Sequence, residues 1–452
     1  MPTYTPPLRD MQFVMHEVLK VTDDLKAIPQ HADVDAETIN AVLEEGGKFA
    51  AEVTFPLNIT GDQQGCKLDQ KTHEVTTPAG FKEAYAKYIE GGWAALACDP
   101  KFGGQGLPLV VNQCFYEMLN SANQAWTMYP GLTHGAYAAL HTHGTEEQQQ
   151  TYLHKMTSGE WTGTMCLTEP HCGTDLGLMR TKAEPQPDGT YRITGNKIFI
   201  SAGEHDMADN IIHLVLARLP DAPPGPKGLS LFLVPKFYAN GHRSAVVCER
   251  IEEKMGLHGS PTCVMRFDEA TAWIVGEPGK GLNAMFVMMN AARLHVALQG
   301  IGLLDAAWQK ADAYSKERRQ MRAPGARDTS LIQDHPAMRR ILDTQRAWID
   351  GGRVLAYRTA LELDLLKHHP DAGRRDAAQR WCSLVTPVMK AAFTHQAFYG
   401  ASECLQVFGG HGYVREWGIE QIVRDSRVAM IYEGTNEIQA IDLLVRKVLP
   451  DG

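Results

Sequence analysis

LNAMFVMMNAARLHVALQGIGLLDAAWQKADAYSKERR, residues 282–319, runs for more than thirty residues without a proline. Its apolar residues recur at three- and four-residue spacing, so it reads as one long helix, of the kind that packs in a bundle. Helical patterns continue from it to Val448. Upstream, between about Gly159 and Gly276, the period changes. TYRITGNKIFIS (190–201), NIIHLVLARL (210–219), GLSLFLVPKF (228–237) and TCVMRF (262–267) are short and rich in β-branched or aromatic residues. Turn signals bound them, PDG at 187–189 and APPGPKG at 222–228, which predicts an antiparallel β domain and gives no sign of a βαβ nucleotide fold. Further upstream ETINAVLEEGGKFAAEV (37–53), FKEAYAKYIEGGWAAL (81–96) and VVNQCFYEMLNSANQAW (110–126) are helical again. The expected fold class is α+β multidomain: an extension 1–35, an N-terminal α-helical domain 36–158, a middle β domain 159–276 and a C-terminal helical bundle 277–452. The extension carries prolines and one short amphipathic helix around MQFVMHEVLK, and MRAPGARDTS (321–330) reads as an exposed loop.

Bulk properties agree with a multidomain globular chain. At 452 residues one compact core is not expected. The 44% hydrophobic and 21% charged composition carries no sign of disorder or repeats. A net charge of −9 counts against a general nucleic-acid binder. Nine cysteines without a CxxC pair form neither a disulfide framework nor a zinc site, and no apolar run approaches the ~20 residues of a membrane span. With no secretory signal at the N-terminus, a cytoplasmic location is expected.

Several short motifs carry chemistry. LTEPHCGTD (167–175) follows an expected strand, and its backbone N–H groups with the Thr168 and Thr174 hydroxyls can converge on a polar ligand. Alone, it also describes an ordinary polar turn. In GNKIFIS (195–201) strand alternation puts Phe199 and Ser201 on one face, where an aromatic can cover a flat heterocycle while a hydroxyl bonds its edge. The same pattern describes a plain half-buried strand. The glycines of VFGGHGYV (407–414) allow close approach to phosphates, yet such loops are common turns and this one matches no nucleotide-binding signature.

IYEGTNEIQ (431–439) places Glu433 behind an apolar run and just ahead of a helix that Thr435 can cap. Desolvation there raises a carboxyl pKa and makes a base for neutral pH; a helix-end acid is the competing reading. Arg293, inside the apolar AARLHVAL, needs a carboxylate or an anionic ligand. Arg318, Arg319 and Arg322 cluster at the end of the long helix, as phosphate ligands or as a solvated helix end. The pairs His141/His143 and His368/His369 lack a third ligand, so no metal is expected.

Taken in order, FGGQG (102–106), LTEPHCGTD, GNKIFISAG, the AARL helix, QVFGGHG and RDSRVAMIYEGTNEIQ resemble the acyl-CoA dehydrogenase family over roughly residues 40 to 448. The resemblance implies a helical domain, a β domain and a four-helix bundle, with FAD between the last two, in a homodimer or homotetramer. By position, Met165, Leu167 and Thr168 would line the flavin ring, and Gly173 and Thr174 would reach its diphosphate or the thioester. Phe199 and Ser201 match the pair at the isoalloxazine. Arg318, with Gln406 and Gly410 from a neighbouring subunit, would hold the diphosphate and adenosine. Thr435 and Glu437 match further flavin contacts, while Thr174, Asn290, Arg293 and Gly434 fall where the acyl-CoA binds.

Glu433 matches the catalytic base, and the alternative base position on the long helix is Ala292, which cannot serve. The implied reaction is α,β-dehydrogenation to the trans-2-enoyl-CoA, with an electron-transferring flavoprotein as acceptor. The substrate would be a fatty acyl-CoA or 3-methylthiopropanoyl-CoA, with Trp126, Met128 and Tyr129 as residues that could shorten the acyl pocket. An acyl-CoA oxidase using O2 and a catalytically silent flavin-binding protein are the alternatives on this scaffold.

The sequence departs from the family pattern in places. Phe199 stands where many members have tryptophan, His335 stands at a frequent glutamine position, and Met321, Arg322 and the 323–330 insertion replace a usual Phe-Gly. The leader resembles a bacterial branch of larger members that continue past the position of Gly452, which leads to the expectation of a truncated or processed chain.

Overall fold

The structure, a computed structural model, describes residues 4–451. Helices come first: α1 (Leu8–Gln12), α2 (Val21–Leu25), α3 (Ala36–Phe49), α4 (Asn58–Gln64), then a two-stranded hairpin, β1 (Lys67–Leu68) and β2 (Val75–Thr76). α5 (Phe81–Glu90), α6 (Leu109–His143), α7 (Glu146–Gln148) and α8 (His154–Ser158) complete the N-terminal part. α6 starts where the Leu109 and Val110 N–H groups donate to the Asp364 carboxylate at 2.8 and 3.1 Å. It kinks at Asn123, whose side chain instead receives the Trp126 N–H at 3.0 Å and donates to Thr54 O at 3.1 Å.

The leader is no loose extension. Met11, Met15, Val21, Leu25 and Ile28 are fully buried in the same core as α3 and α6. Salt bridges Arg346–Asp10 and Arg358–Asp24 hold it to a C-terminal helix. MQFVMHEVLK is not one α-helix either: α1 passes into a π-helical stretch, Phe13–Val18, that brings Val14 and Met15 inward together.

The sheet holds β3 (Trp161–Cys166), β4 (Lys182–Pro185), β5 (Tyr191–Ser201), β6 (Asn210–Arg218), β7 (Leu229–Pro235), β8 (Val246–Ile251) and β9 (Thr262–Val275). Its order is β3-β6-β4-β5-β9-β7, with β8 on β9 and a further β6–β7 pairing that closes it like a barrel. Pairing is antiparallel for the most part, but β3 lies parallel to β6 along its whole length, because the chain crosses β4 and β5 before it returns.

The C-terminal part is α9 (Gly281–Ser315), α10 (Pro336–His368), α11 (Ala372–Val407), α12 (Ile419–Arg427) and α13 (Asn436–Ile441). α9 is long and apolar enough to cross a membrane, yet 71% of its most apolar window is buried inside the protein. It packs against α6, α10 and α11, which explains an apolar circumference without a bilayer. A buried polar knot joins three of these helices: Arg353 donates to Glu117 at 2.7 Å and lies 3.3 Å from Asp305, while Tyr357 donates to Glu117 at 2.5 Å.

Candidate active site

The loop between α12 and α13 turns through two successive left-handed residues, Glu433 at φ 56° and Gly434 at φ 80°. For a glutamate this conformation is strained, which marks the position for a functional reading. One amide and an ammonium hold the turn. Gln439 Nε2 donates to the Glu433 and Gly434 carbonyls at 3.1 and 3.2 Å, and Lys390 Nζ donates to the Gly434 carbonyl at 2.8 Å. Thr435 caps α13 by accepting the Ile438 N–H at 3.4 Å. A side chain at 434 would meet Gln439 Nε2 at 2.8 Å, so the glycine is required there.

Glu433 is half-buried as a residue, but its Oε2 is enclosed and has no hydrogen-bond partner among the described residues. Burial pushes its pKa up to about 7, against the pull of Arg293 and Lys390. Arg293 of α9 is 8% exposed, faces Asp442 at 3.7 Å, and keeps its Nε unpartnered. It thus finds the carboxylate its apolar setting requires and retains a free donor. Asn290 lies on the same helix, and its side chain is outside the described residues. Ala292 adjoins Arg293 and offers no base. Beside the base, Tyr432 OH donates to Gln299, while Gln299 and Gln124 point their amides at the Met128 sulfur at 3.7 and 3.8 Å. Trp126 and Tyr129 are fully buried, and Tyr129 OH is committed to the Gly259 carbonyl at 2.9 Å.

A second cluster forms at the end of β3. Met165, Leu167 and Thr168 lead into a tight loop closed by Glu169 and Cys172, which exchange backbone hydrogen bonds at 2.9 and 3.1 Å. Gly173 and Thr174 are exposed at its tip. On β5 simple alternation fails: the register shifts between Lys197 and Ile200, and Phe199 takes φ 58°. This bulge leaves the Phe199 ring 60% exposed, with Ile200 buried and Ser201 half-buried. Glu169, His171 and Cys172 bring ligand atoms within 4.8 Å of one another. The Glu169 carboxylate is already taken, however, by Lys197, Thr181 and the Arg180 N–H.

The third cluster is a cavity of about 450 Å³ lined by Arg318, Gln320, His335, Gln406 and Gly410, among others. At Gly409 and Gly410 a side chain would meet nothing within 4 Å, so both face open space. Arg318, Gln406 and Gly410, expected to share the diphosphate and adenosine, line one cavity of one chain. Among the described residues, no strand residue lines it. α9 ends at Ser315, three residues before Arg318, and the 321–330 insertion is a loop whose ends meet through an Arg319–Leu331 bridge. His335 is fixed by the Gln320 carbonyl at 2.9 Å. Thr435 is half-buried and Glu437 exposed. Lys390, Gln124, Gln299 and the Lys197–Glu169 pair were not anticipated from sequence. Lys390, a charge within the apolar VMKAAF, carries the same signal that singled out Arg293.

Residues 67–160, 164–270 and 279–448 match the family profiles described as acyl-CoA dehydrogenase N-terminal, middle and C-terminal domain. The chain is 43% identical over 457 residues to the 3-methylmercaptopropionyl-CoA dehydrogenase of Ruegeria pomeroyi, covering all of this chain and 77% of that protein. It is 37% identical to the broad-specificity linear acyl-CoA dehydrogenase FadE5 of Mycobacterium tuberculosis, over 99% of this chain and 76% of that one. Among solved structures, butyryl-CoA dehydrogenase of Megasphaera elsdenii superposes with a TM-score of 0.75 at 25% identity, covering 90% of this chain and 96% of the other.

Proposed function

The chain belongs to the acyl-CoA dehydrogenase family of FAD-dependent oxidoreductases, and from that footing we propose that it oxidises a short acyl-CoA to its trans-2-enoyl-CoA, with Glu433 as the base that removes the α-proton. The observation that carries the reading is the enclosed, unpartnered Glu433 carboxylate with its pKa near 7, in reach of the positive potential of Arg293.

The residues fit FAD. An exposed aromatic held in a strained backbone, the Leu167–Thr174 loop beside it and a glycine-floored cavity with an arginine suit a ring, its edge and its phosphates. Met165, Leu167, Thr168, Phe199 and Ser201 would hold the ring, with Gly173 and Thr174 towards the diphosphate and Thr435 and Glu437 as flanking contacts. When bound, FAD supplies the acceptor for the β-hydride. Because no strand residue lines the Arg318 cavity, Arg318, Gln406 and Gly410 would serve the adenosine of a second copy's cofactor, which makes the enzyme a homodimer or homotetramer.

The chain's own part is proton chemistry and placement. Glu433 accepts the α-proton and becomes the neutral acid that its burial favours. The thioester oxygen gathers charge as the proton leaves, and the Glu433 N–H is the donor proposed for it. Arg293, Asn290, Thr174 and Gly434 would bind the acyl-CoA. The packing of Met128, Gln124, Gln299 and Tyr432 beside the base favours a short chain, 3-methylthiopropanoyl-CoA or butyryl-CoA. That agrees with the activities in the names of relatives from R. pomeroyi and Syntrophomonas wolfei. An electron-transferring flavoprotein as oxidant and a cytoplasmic location complete the proposal.

Anaerobic titration of the yellow holoenzyme with acyl-CoAs of graded length and with 3-methylthiopropanoyl-CoA tests it. Loss of the visible flavin band is expected with the short substrates, and none with Glu433→Gln that retains its FAD. Full bleaching of Glu433→Gln would remove Glu433 from the role.

A further inference from the structure

α11 carries Lys390 into the interior beneath the base, and its side chain is 0% exposed. Nζ makes two directed hydrogen bonds, to the Gly434 carbonyl at 2.8 Å and to Asn436 Oδ1 at 3.0 Å. Asn436 is itself fixed, donating to the Ala391 carbonyl at 3.1 Å and to Thr394 Oγ1 at 3.1 Å. Both acceptors of the ammonium are neutral. A glutamine amide could satisfy such acceptors without the several kcal/mol that a buried charge costs. The charge therefore has another use: it sits on the carbonyl of the residue next to Glu433, whose carboxyl feels its field.

We propose that Lys390 is a positioning residue for the base: it clamps the left-handed Glu433–Gly434 turn through the Gly434 carbonyl, and its positive charge keeps the Glu433 carboxylate ionised at neutral pH. The inference rests on the reading of Glu433 as base. The other charges around the pair are Arg293 from α9, which Asp442 partly neutralises, and Glu437 at the start of α13; Asp442 in turn faces Arg446 and Lys447. Tyr432, next to the base, stays neutral, its pKa pushed up by burial first and by Glu433 second. Burial lowers Lys390 to about 8 while it raises Glu433 to about 7. Each ion supports the other, so the window in which the base is ionised and its clamp is charged is narrow and centred just above neutrality.

The test compares the holoenzyme with Lys390→Gln, Lys390→Met and Lys390→Arg. Two readouts are used, the pH profile of kcat and an infrared titration of the Glu433 carboxyl band, assigned by its loss in Glu433→Gln. Removing the charge should move the Glu433 midpoint up by about one pH unit, with the acid limb of kcat moving alongside it. kcat at pH 7 should then fall roughly fivefold, since the ionised fraction of the base drops from about a half to about a tenth, with KM little changed. Lys390→Arg should restore the midpoint. An unchanged midpoint in Lys390→Gln, or equal midpoints in Lys390→Gln and Lys390→Arg if the Met variant does not fold, overturns the proposal. An active Glu433→Gln would instead overturn the base assignment.

Discussion

Lys197 Nζ lies 2.9 Å from Glu169 Oε1, an ion pair whose side chains are 0% and 2% exposed. Lys197 also donates to the Leu167 carbonyl at 3.0 Å, and Glu169 accepts from the Thr181 hydroxyl at 2.5 Å. Together they tie β5 to the loop that follows β3, so the segments carrying Phe199 and Thr168 are fixed to one another. Burial alone would raise the Glu169 pKa, but Lys197 and the surrounding donors outweigh it and hold the value below the ordinary carboxylate range. Lys197→Met, which strands a buried carboxylate, should cost about 3–5 kcal/mol in urea unfolding. The loss should shrink towards acid pH, because a depressed carboxylate contributes stability only above its folded pKa. A cost below about 1 kcal/mol would show that the pair does not fix the loop.

Phe199 carries the opposite signature, strain without burial. A bulky residue at φ 58° costs roughly 1–3 kcal/mol, and a ring 60% exposed recovers little of it within the chain. Phe199→Gly should leave the melting temperature of the apoprotein unchanged or higher. FAD affinity should fall by about tenfold or more, as expected when an aromatic ring no longer stacks on the heterocycle. A fluorescence titration of apoprotein with FAD measures the second quantity, and an unchanged Kd would remove Phe199 from the ring site.

Glu433 is expected to trade stability for function. Its pKa rises on folding from 4.5 to about 7, so the folded state binds the proton more tightly and stability falls as pH rises through that interval. Glu433→Gln, which never ionises, should match the parent near pH 4.5 and exceed it by about 1–3 kcal/mol at pH 8. Thermal melts of both proteins at the two pH values decide this. A gap that does not grow with pH means the carboxylate is solvated after all.

Met128 stands beside Tyr432 with its sulfur bracketed by two amides. Met128→Ala removes the side chain from that corner without touching the base, and a cavity next to the acyl group should extend the accepted chain by about one or two methylenes, each worth ~0.8 kcal/mol of binding. The ratio of kcat/KM for hexanoyl-CoA over butyryl-CoA should rise by roughly tenfold. If it stays constant, the acyl chain runs elsewhere.

Periodicity made the three-part architecture legible, because long amphipathic or apolar helices and short alternating strands differ in period. What it missed has local causes. The leader's prolines and polar residues suggested an appendage, whereas the burial of Met11, Met15 and Ile28 depends on a groove between distant helices. Alternation predicted a common face for Phe199 and Ser201, but the bulge that aims the ring is set by the Lys197 anchor, which reaches a loop 28 residues away. Glu433, Gly434 and Thr435 were legible because a cap, a glycine and a lone acid sit in one short segment. Lys390 lies 44 residues from the carbonyl it holds, and only the packing of α11 against that segment brings them together.

The Arg318 cavity gives the assembly a test that no single chain can pass. Arg318, Gln406 and Gly410 share one pocket, and Glu433 and Phe199 do not line it. If that pocket serves the cofactor of a second copy, Arg318→Ala impairs the neighbour's site while Glu433→Gln silences its own. Each variant alone should then show little or no activity at limiting FAD. In a mixed dimer, one site combines an intact Glu433 with an intact Arg318, and the other carries both lesions. Unfolding and refolding equal amounts together should therefore recover about a quarter of the parental activity, since half of randomly paired dimers are mixed and each has one sound site. Recovery of activity identifies a composite site, and a mixture no more active than the sum of its parts places Arg318 and Glu433 on the same cofactor within one chain.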